Sequence, residues 1–196
     1  MKPVPLRVVT WDLGSVQADV AQIAAVLREV RPDLAGLQGA PTGFRWRSRT
    51  AALARHAEML TAGGGPECSG NLVLGSVRVH VFGTQQTMGG GQSAPSDIAV
   101  AVAEVSGMRV VVCATRLGAS SPDRTRRATE LVDRLRSFGG DHQILCAEPA
   151  ANPAGAIQVS PGVKVLDWWL GEPPEGSRGD RDRPVVADLL LLGSAG

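Results

Sequence analysis

Acidic and basic side chains stand at or near the ends of several apolar segments, where they could act together on a ligand. The candidates are Asp12, Arg116, Glu148, Asp167, Arg181 and Asp182. Arginines bind anions through paired hydrogen bonds, and a carboxyl group of raised pKa can donate or accept a proton. Carboxylates and arginines brought together can also neutralise one another. These residue types therefore favour either metal-free acid–base chemistry on an anionic ligand or a set of ion pairs.

Histidines and cysteines do not occur at the spacing of metal ligands. The three cysteines, Cys68, Cys113 and Cys146, are far apart and include no CxxC pair. This spacing argues against both a disulfide framework and a zinc site. The three histidines occur singly, which is more typical of structural or surface roles. We therefore predict no metal and no cofactor, and the thiols indicate a reducing cytoplasm.

Length and composition limit the classes of protein to which the chain can belong. Its 196 residues are 43% hydrophobic and 20% charged, which predicts one globular domain over residues 1–196. A formal net charge of +1 provides no overall attraction for nucleic acid, so a nucleic-acid partner is not expected. The sequence contains neither a signal-peptide pattern nor an 18-residue apolar run. We therefore expect a cytoplasmic protein that does not enter a membrane.

Strand and helix patterns alternate along the chain. Apolar spacing predicts one helix capped by Asp19 and ended by Pro32, a second over residues 49–60, and a third from Ser121 to Phe138. Ser106 and Gly107 predict the turn of a hairpin. The remaining strands are predicted at residues 6–11, 34–38, 71–82, 143–147, 163–170 and 184–192. Near-continuous apolar strands mixed with hairpins and helices predict an α/β sandwich of two sheets.

Glycine-rich and arginine-rich segments were considered as further sites. The triple glycines at 63–65 and 89–91 lack the strand-to-helix context of a phosphate-binding loop and are predicted to be loops. The arginines that flank Trp46 could stack on bases or hold phosphates, although a solvated loop is the favoured interpretation. The arginines of the third helix, from Arg124 to Arg136, are expected to face solvent.

Six short motifs follow one another along the chain. They are TWD (10–12), RPDLAGLQG (31–39), ATRLG (114–118), LCAEPAANP (145–153), VLDWWL (165–170) and DRDRPVVADL (180–189). In type and order these motifs resemble those of the endonuclease/exonuclease/phosphatase family, whose fold is the DNase I-like fold, and the resemblance covers nearly the whole chain. The resemblance implies a four-layer α/β/β/α sandwich in which two mixed sheets are flanked by helices.

The same resemblance implies that the metal site of the family has been altered. Asp12 takes the place of an Asn that holds the scissile phosphate, and Gly39 takes the place of the Glu that ligates Mg²⁺. Glu148 takes the place of the Asp in a GDFN loop of the family and so keeps an acid there. Arg181 takes the place of the Asp in the family's final SDH motif. A cation at that position would compete with a metal for Asp12 and Glu148, so we expect the cluster to neutralise itself without metal.

The proton-transfer residue of the family is also replaced. Arg116 takes the place of a His that contacts phosphate, and Asp182 takes the place of the His that serves as general base or phosphate contact. Asp167 matches an Asp that orients that His in the family. Without the His, hydrolysis by the mechanism of the family is expected to be lost.

In the family fold these candidates would lie together at one end of the two sheets, which we call the mouth, with further side chains that could contact a ligand. Those side chains are Trp11, Gln38, Trp168 and Trp169. One hypothesis is a non-catalytic ligand-binding or interaction protein, with a protein partner left open. Another is a repurposed, metal-independent enzyme of the cyclase or lyase type, and a third is a residual Mg²⁺-dependent hydrolase. An open pocket of this kind would suit an anionic or polycyclic small molecule.

Overall fold

The computed structural model describes residues 2–14, 19–85, 98–118, 121–149, 153–177 and 182–193. Eleven strands lie in this part of the chain: β1 (Val4–Asp12), β2 (Leu34–Gln38), β3 (Met59–Gly65), β4 (Asn71–Ser76), β5 (His80–Gln85), β6 (Ile98–Val105), β7 (Met108–Thr115), β8 (His142–Ala147), β9 (Ile157–Val159), β10 (Val163–Leu170) and β11 (Val185–Leu191). The α-helices are α1 (Val20–Val30), α2 (Trp46–His56) and α3 (Ser121–Leu135). Short 3₁₀ helices span Pro66–Cys68, Arg136–Phe138 and Pro153–Ala156.

The strands form two mixed sheets. The six-stranded sheet has the order β10-β11-β1-β2-β4-β3, and the five-stranded sheet has the order β5-β6-β7-β8-β9. Within each sheet one pair is parallel, β1 with β2 and β7 with β8, and the other pairs are antiparallel. The carboxyl ends of the two strands in a parallel pair meet at the same edge of the sheet.

Three hydrophobic clusters separate four layers. The central cluster lies between the sheets and is rich in Ala and Val. A second cluster joins α1 and α2 to the outer face of the six-stranded sheet. The third joins α3 to the outer face of the five-stranded sheet. This arrangement confirms the α/β/β/α sandwich.

Local sequence explains the helix boundaries better at α1 than at α2. Asp19 caps α1 and forms a reciprocal capping box with Gln22, as the predicted cap requires. The second helix begins at Trp46 and ends at His56, so the prediction of a helix over residues 49–60 extended too far. Leu60, predicted to point inward, is 54% exposed. None of the helices in the described ranges is long and apolar enough to cross a membrane.

The first triple glycine is part of a strand rather than a loop. Residues 63–65 complete β3, which pairs with β4. A Cβ on Gly64 would lie 2.2 Å from the Asn71 carbonyl oxygen and 2.8 Å from the Ala99 Cβ. The glycines therefore allow the strand to lie close to its neighbours. The second triple glycine, at 89–91, lies outside the described residues.

The two sheets approach each other most closely around Gly36. A Cβ on this residue would lie 2.3 Å from the Cys146 Cβ and 3.4 Å from the Ala114 Cβ. Gly36 lies on β2, whereas Cys146 and Ala114 lie on β8 and β7 of the other sheet. A side chain larger than hydrogen at position 36 would separate the sheets.

Gly36→Ala should therefore destabilise the protein by about 1–3 kcal/mol, because the added methyl group must displace a packed strand. The free energy of unfolding in urea measures this effect. Gly43→Ala is the matched control, because nothing lies within 4 Å of its added Cβ. An equal loss of stability in both variants would contradict the close-approach explanation.

Burial of His142 makes stability dependent on pH. The residue is 3% exposed, its Nδ1 has no hydrogen-bond partner among the described residues, and burial lowers the pKa of the imidazole although nearby Asp141 raises it. The unfolded chain therefore binds this proton at a higher pH than the folded chain. Stability should fall as the pH drops below about 6.5 towards the folded pKa.

His142→Phe should reduce the loss of unfolding free energy between pH 7.5 and pH 5.5, because it removes the group that titrates. Denaturant titrations of the two proteins at both pH values provide the comparison. His56→Gln changes an exposed histidine and should leave the dependence as it is. An identical pH dependence in wild type and His142→Phe would rule out this histidine as the cause.

Candidate functional site

The candidate site lies where the parallel strands of the two sheets end. Asp12 and Gln38 are paired at the ends of β1 and β2. Arg116 and Glu148 follow Thr115 and Ala147, the last pair of β7 and β8. The Thr10 hydroxyl donates a 2.7 Å hydrogen bond to the Ala147 carbonyl oxygen, which ties one sheet to the other at this edge. The topology thus brings Asp12, Arg116 and Glu148 to one mouth, as the resemblance implied.

Asp12 is held by an arginine from the opposite sheet. Arg116 Nη2 lies 2.6 Å from Asp12 Oδ1, and the Gly14 backbone N–H donates to the same oxygen at 2.9 Å. The Asp12 side chain is 24% exposed, whereas the Arg116 side chain is 43% exposed. One face of the guanidinium is therefore still accessible from solvent.

Gly39 allows the Arg116 guanidinium to lie in the space that a side chain would need. A Cβ at position 39 would be 2.7 Å from Arg116 Nη2 and 2.5 Å from the Gly14 backbone nitrogen. The backbone of Gly39 also has a φ of 67°, which favours glycine. An acidic ligand at position 39 and the observed position of Arg116 are incompatible.

Glu148 has its hydrogen-bonding capacity taken up by the protein. Its carboxylate accepts the backbone N–H groups of Leu117 at 2.9 Å and Gly118 at 3.0 Å. Arg124 Nη1 donates to the same carboxylate at 2.9 Å, and Arg124 Nη2 donates to the backbone carbonyl of Glu148. The side chains are only 16% and 11% exposed, respectively. Glu148 therefore fixes the loop after β7 onto the first turns of α3.

Arg124 is a residue of the candidate site that the sequence interpretation missed. The prediction that the arginines of α3 face solvent is wrong for Arg124, and Arg127 also reaches inward to donate to the Leu117 carbonyl at 3.1 Å. A sequence signal was present, because a cation in the first turn of a helix opposes the helix dipole. An arginine at that position indicates an acidic partner outside the helix.

Gln38 and Trp11 belong to the interior rather than to a ligand surface. Both side chains are fully buried. Gln38 Nε2 donates to the Cys146 carbonyl at 3.1 Å, so the amide joins the sheets below the mouth. Trp11 packs between its sheet and the helices, and its Nε1 donates to the Asp182 carbonyl at 2.9 Å. Their expected role as ligand contacts is corrected by this burial.

Asp167, Trp168 and Trp169 are separated from the mouth along the strands. Asp167 lies opposite Asp188 on β11, and Asp188 lies opposite Arg7 on β1. Arg7 precedes Asp12 by about 16 Å of strand, at 3.3 Å per residue. The expectation that Asp167 joins the catalytic cluster is therefore corrected.

The two tryptophans have other surroundings. Trp169 packs under the Arg7 guanidinium, whose carbon is 5.1 Å from the ring centroid. Trp168 is 42% exposed on β10, an edge strand. Of the final motif, Arg181 lies outside the described residues, and Asp182 is present at the mouth end through its contact with Trp11.

The donor set at the mouth does not fit a divalent metal ion. Mg²⁺ requires oxygen ligands that are free to face it in near-octahedral geometry. Asp12 is paired with Arg116, Glu148 accepts hydrogen bonds from three N–H donors, and position 39 has no side chain. Within the described part of the chain, no group of three His, Cys, Asp or Glu residues could hold a metal.

Solved structures share this architecture despite low sequence identity. An endonuclease/exonuclease/phosphatase from Bacteroides vulgatus matches with a TM-score of 0.72 at 12% identity, over 96% of this chain and 99% of the other. The chain has the DNase I-like fold. TDP2 from D. rerio in complex with a single-strand DNA product matches with a TM-score of 0.69 at 11% identity, over 94% and 98% of the two chains. The human Nocturnin catalytic domain with a bound sulfate anion matches with a TM-score of 0.62 at 15% identity, over 96% of each chain.

Comparisons of sequence find no such similarity. No protein-family model matches the chain, and no curated protein is significantly similar to it. At these identities the structural likeness establishes the fold, and the chemistry of the mouth has to be argued from its own residues.

Arg124→Ala should destabilise the protein by about 1–3 kcal/mol, because it leaves a largely buried carboxylate without its cation. Urea or thermal unfolding measures the loss. Arg126→Ala on the same helix is the matched control: Arg126 is paired with Glu130, but the two side chains are 63% and 56% exposed. Its effect should stay within about 0.5 kcal/mol. Equal effects of the two variants would refute a buried role for Arg124.

Proposed function

We propose that this protein is a non-catalytic ligand-binding protein built on the DNase I-like fold. The observation that carries the proposal is that Asp12 and Glu148, which lie at the ends of neighbouring strands at the mouth, are each held by an arginine. Arg116 binds Asp12, and Arg124 binds Glu148. The two ion pairs remove the negative charge that would otherwise attract a divalent cation.

Loss of metal-dependent hydrolysis follows from the donor set. Catalytic metals polarise a phosphoryl oxygen or activate a water, and both roles require carboxylates that face the metal. Displacing Arg116 would free Asp12, but position 39 would still add no ligand beside it, because Gly39 has no side chain. The chemistry suggested by the fold alone is therefore not supported by the residues present.

Metal-free acid–base catalysis receives less support than binding. A general acid or base must reach the reacting group with a lone pair or a proton that is not already committed. Glu148 accepts two backbone N–H groups and a guanidinium, so its oxygens are directed into the protein. A cyclase- or lyase-type reaction would have to break these contacts before proton transfer.

The exposed part of the Arg116 side chain supports a role for the mouth in binding. The Arg116 side chain is half-exposed although it is paired with Asp12. A guanidinium has five N–H donors, and the pair with Asp12 leaves some of them available. This supports a small anion, rather than a cation or a neutral sugar, as the ligand class.

Calorimetric titration with Mg²⁺ and Mn²⁺, combined with an assay of phosphodiester hydrolysis on bis-p-nitrophenyl phosphate, tests the proposal. We expect neither binding nor turnover in the wild-type protein. Glu148→Ala, and Glu130→Ala as a control carboxylate on the exposed face of α3, should both be inactive as well. Metal binding with turnover that is abolished by Glu148→Ala but retained by Glu130→Ala would overturn the proposal and indicate a hydrolase.

A further inference from the structure

A cavity of about 220 Å³ lies next to the mouth, between the first turn of α1 and the Arg49–Leu53 face of α2. Its walls include the side chains of Leu13, Val20, Ile23 and Leu53, which are apolar, and Arg49 is the charged residue of the lining. Leu13, Ile23 and Leu53 are each at most 7% exposed and belong to the core cluster under the helices. The cavity is therefore an apolar recess with a single cation at its rim.

Arg49 has no acidic partner in the described part of the chain. No carboxylate there lies within 4.0 Å of its guanidinium, and no hydrogen bond occupies its side chain. Arg116, Arg124 and Arg7, in contrast, each hold a carboxylate. An unneutralised arginine beside an apolar recess presents a site for an anionic group attached to an apolar body.

Charge around the recess favours an anion further. Helix α2 carries several arginines and no acidic residue, and there is no acid in its first turn. The positive end of the α1 dipole also lies beside this region, because Val20 and Ile23 belong to the first turn of that helix. Asp19, the nearby cap of α1, is engaged by the Gln22 backbone N–H and is not part of the lining.

The recess adjoins the arginine of the mouth through Gly39. Gly39 lines the cavity, and Arg116 Nη2 lies 2.7 Å from the position that a Cβ on Gly39 would take. Because position 39 has no side chain, the Arg116 guanidinium lies close to this part of the cavity lining. The Arg116 guanidinium is therefore a second cation next to the cavity, although it is already paired with Asp12.

We propose that this recess binds a small organic anion, in which a carboxylate or phosphate group contacts Arg49 and a ring or short aliphatic chain fills the apolar cavity. The inference rests on the proposed binding function and names its ligand class. A volume of about 220 Å³ is below the range of about 300–1,000 Å³ typical of sites for drug-sized molecules, so the body of the ligand is a single ring or its equivalent.

Binding of benzoate, measured by calorimetry and by backbone amide chemical shifts, tests this site. Benzyl alcohol serves as the neutral probe and benzylammonium as the cationic probe of similar shape. Benzoate should bind at least about tenfold more tightly than either, because it alone gains a charge-assisted hydrogen bond. Shift changes should centre on Val20, Ile23 and Leu53 rather than on the distant Lys164.

Substitutions separate the charge from the cavity. Arg49→Met should abolish the preference for benzoate while leaving benzyl alcohol binding unchanged, and Val20→Phe should fill the recess and weaken both probes. Arg47→Met is the matched control on α2, because Arg47 stacks on Trp46, is exposed and does not line the cavity. It should bind both probes as the wild-type protein does.

Other outcomes overturn the inference without touching the proposed function. Equal binding of benzoate by wild type and Arg49→Met would do so, as would no binding of any probe up to its solubility. Loss of benzoate binding in Arg116→Gln but not in Arg49→Met would place the anion at the mouth instead. Absence of metal binding and hydrolysis is measured independently, so failure of the recess and failure of the proposed function are distinguishable.

Discussion

The close approach of the two sheets at Gly36 is the constraint on which the site depends. Because a hydrogen atom replaces a side chain there, β2 lies against β7 and β8, and the ends of strands from both sheets reach one edge. Hydrogen bonds from Thr10 and Gln38 to carbonyl groups of β8 hold that edge together. An arginine that follows β7 can thus reach an aspartate that ends β1. The ion pair at the mouth is a consequence of how tightly the layers pack.

At the mouth, arginine side chains neutralise the carboxylates that a metal cation would otherwise neutralise. A divalent ion can bind and leave, whereas a guanidinium is covalently part of the chain and forms directional hydrogen bonds. Arg116 crosses between the sheets, and Arg124 joins α3 to the loop that carries Arg116. The mouth is in this way part of the scaffold. Its carboxylates contribute to structure, and the exposed guanidinium edge and the neighbouring apolar recess are what a ligand can meet.

The sequence allowed the layers to be predicted more completely than the site. Apolar runs, the Asp19 cap and the Ser106–Gly107 turn act locally, so they identified α1, the hairpin of β6 and β7 and the order of most strands. The short β9 and the glycine-rich β3 were missed, because pairing with neighbours rather than intrinsic preference makes them strands.

Side-chain partners depend on contacts between distant segments, which apolar patterns do not encode. The pairing of Arg116 with Asp12 spans more than one hundred residues, and that of Arg124 with Glu148 joins a helix to a strand end. The prediction that Asp167 lies at the mouth was wrong for a related reason. The order of motifs gives the order of strands along the chain, but not how far along its strand each residue lies from the mouth. The resemblance predicts that no ligand is present at Gly39, but only the structure places Arg116 in the space a side chain there would need.

The close contact between these two residues makes positions 39 and 116 epistatic. An acidic residue introduced at position 39 would meet the guanidinium, while loss of Arg116 first would remove the cation from Asp12 without supplying a ligand. Either single mutant is unfavourable, so an acidic side chain at position 39 is difficult to acquire one substitution at a time.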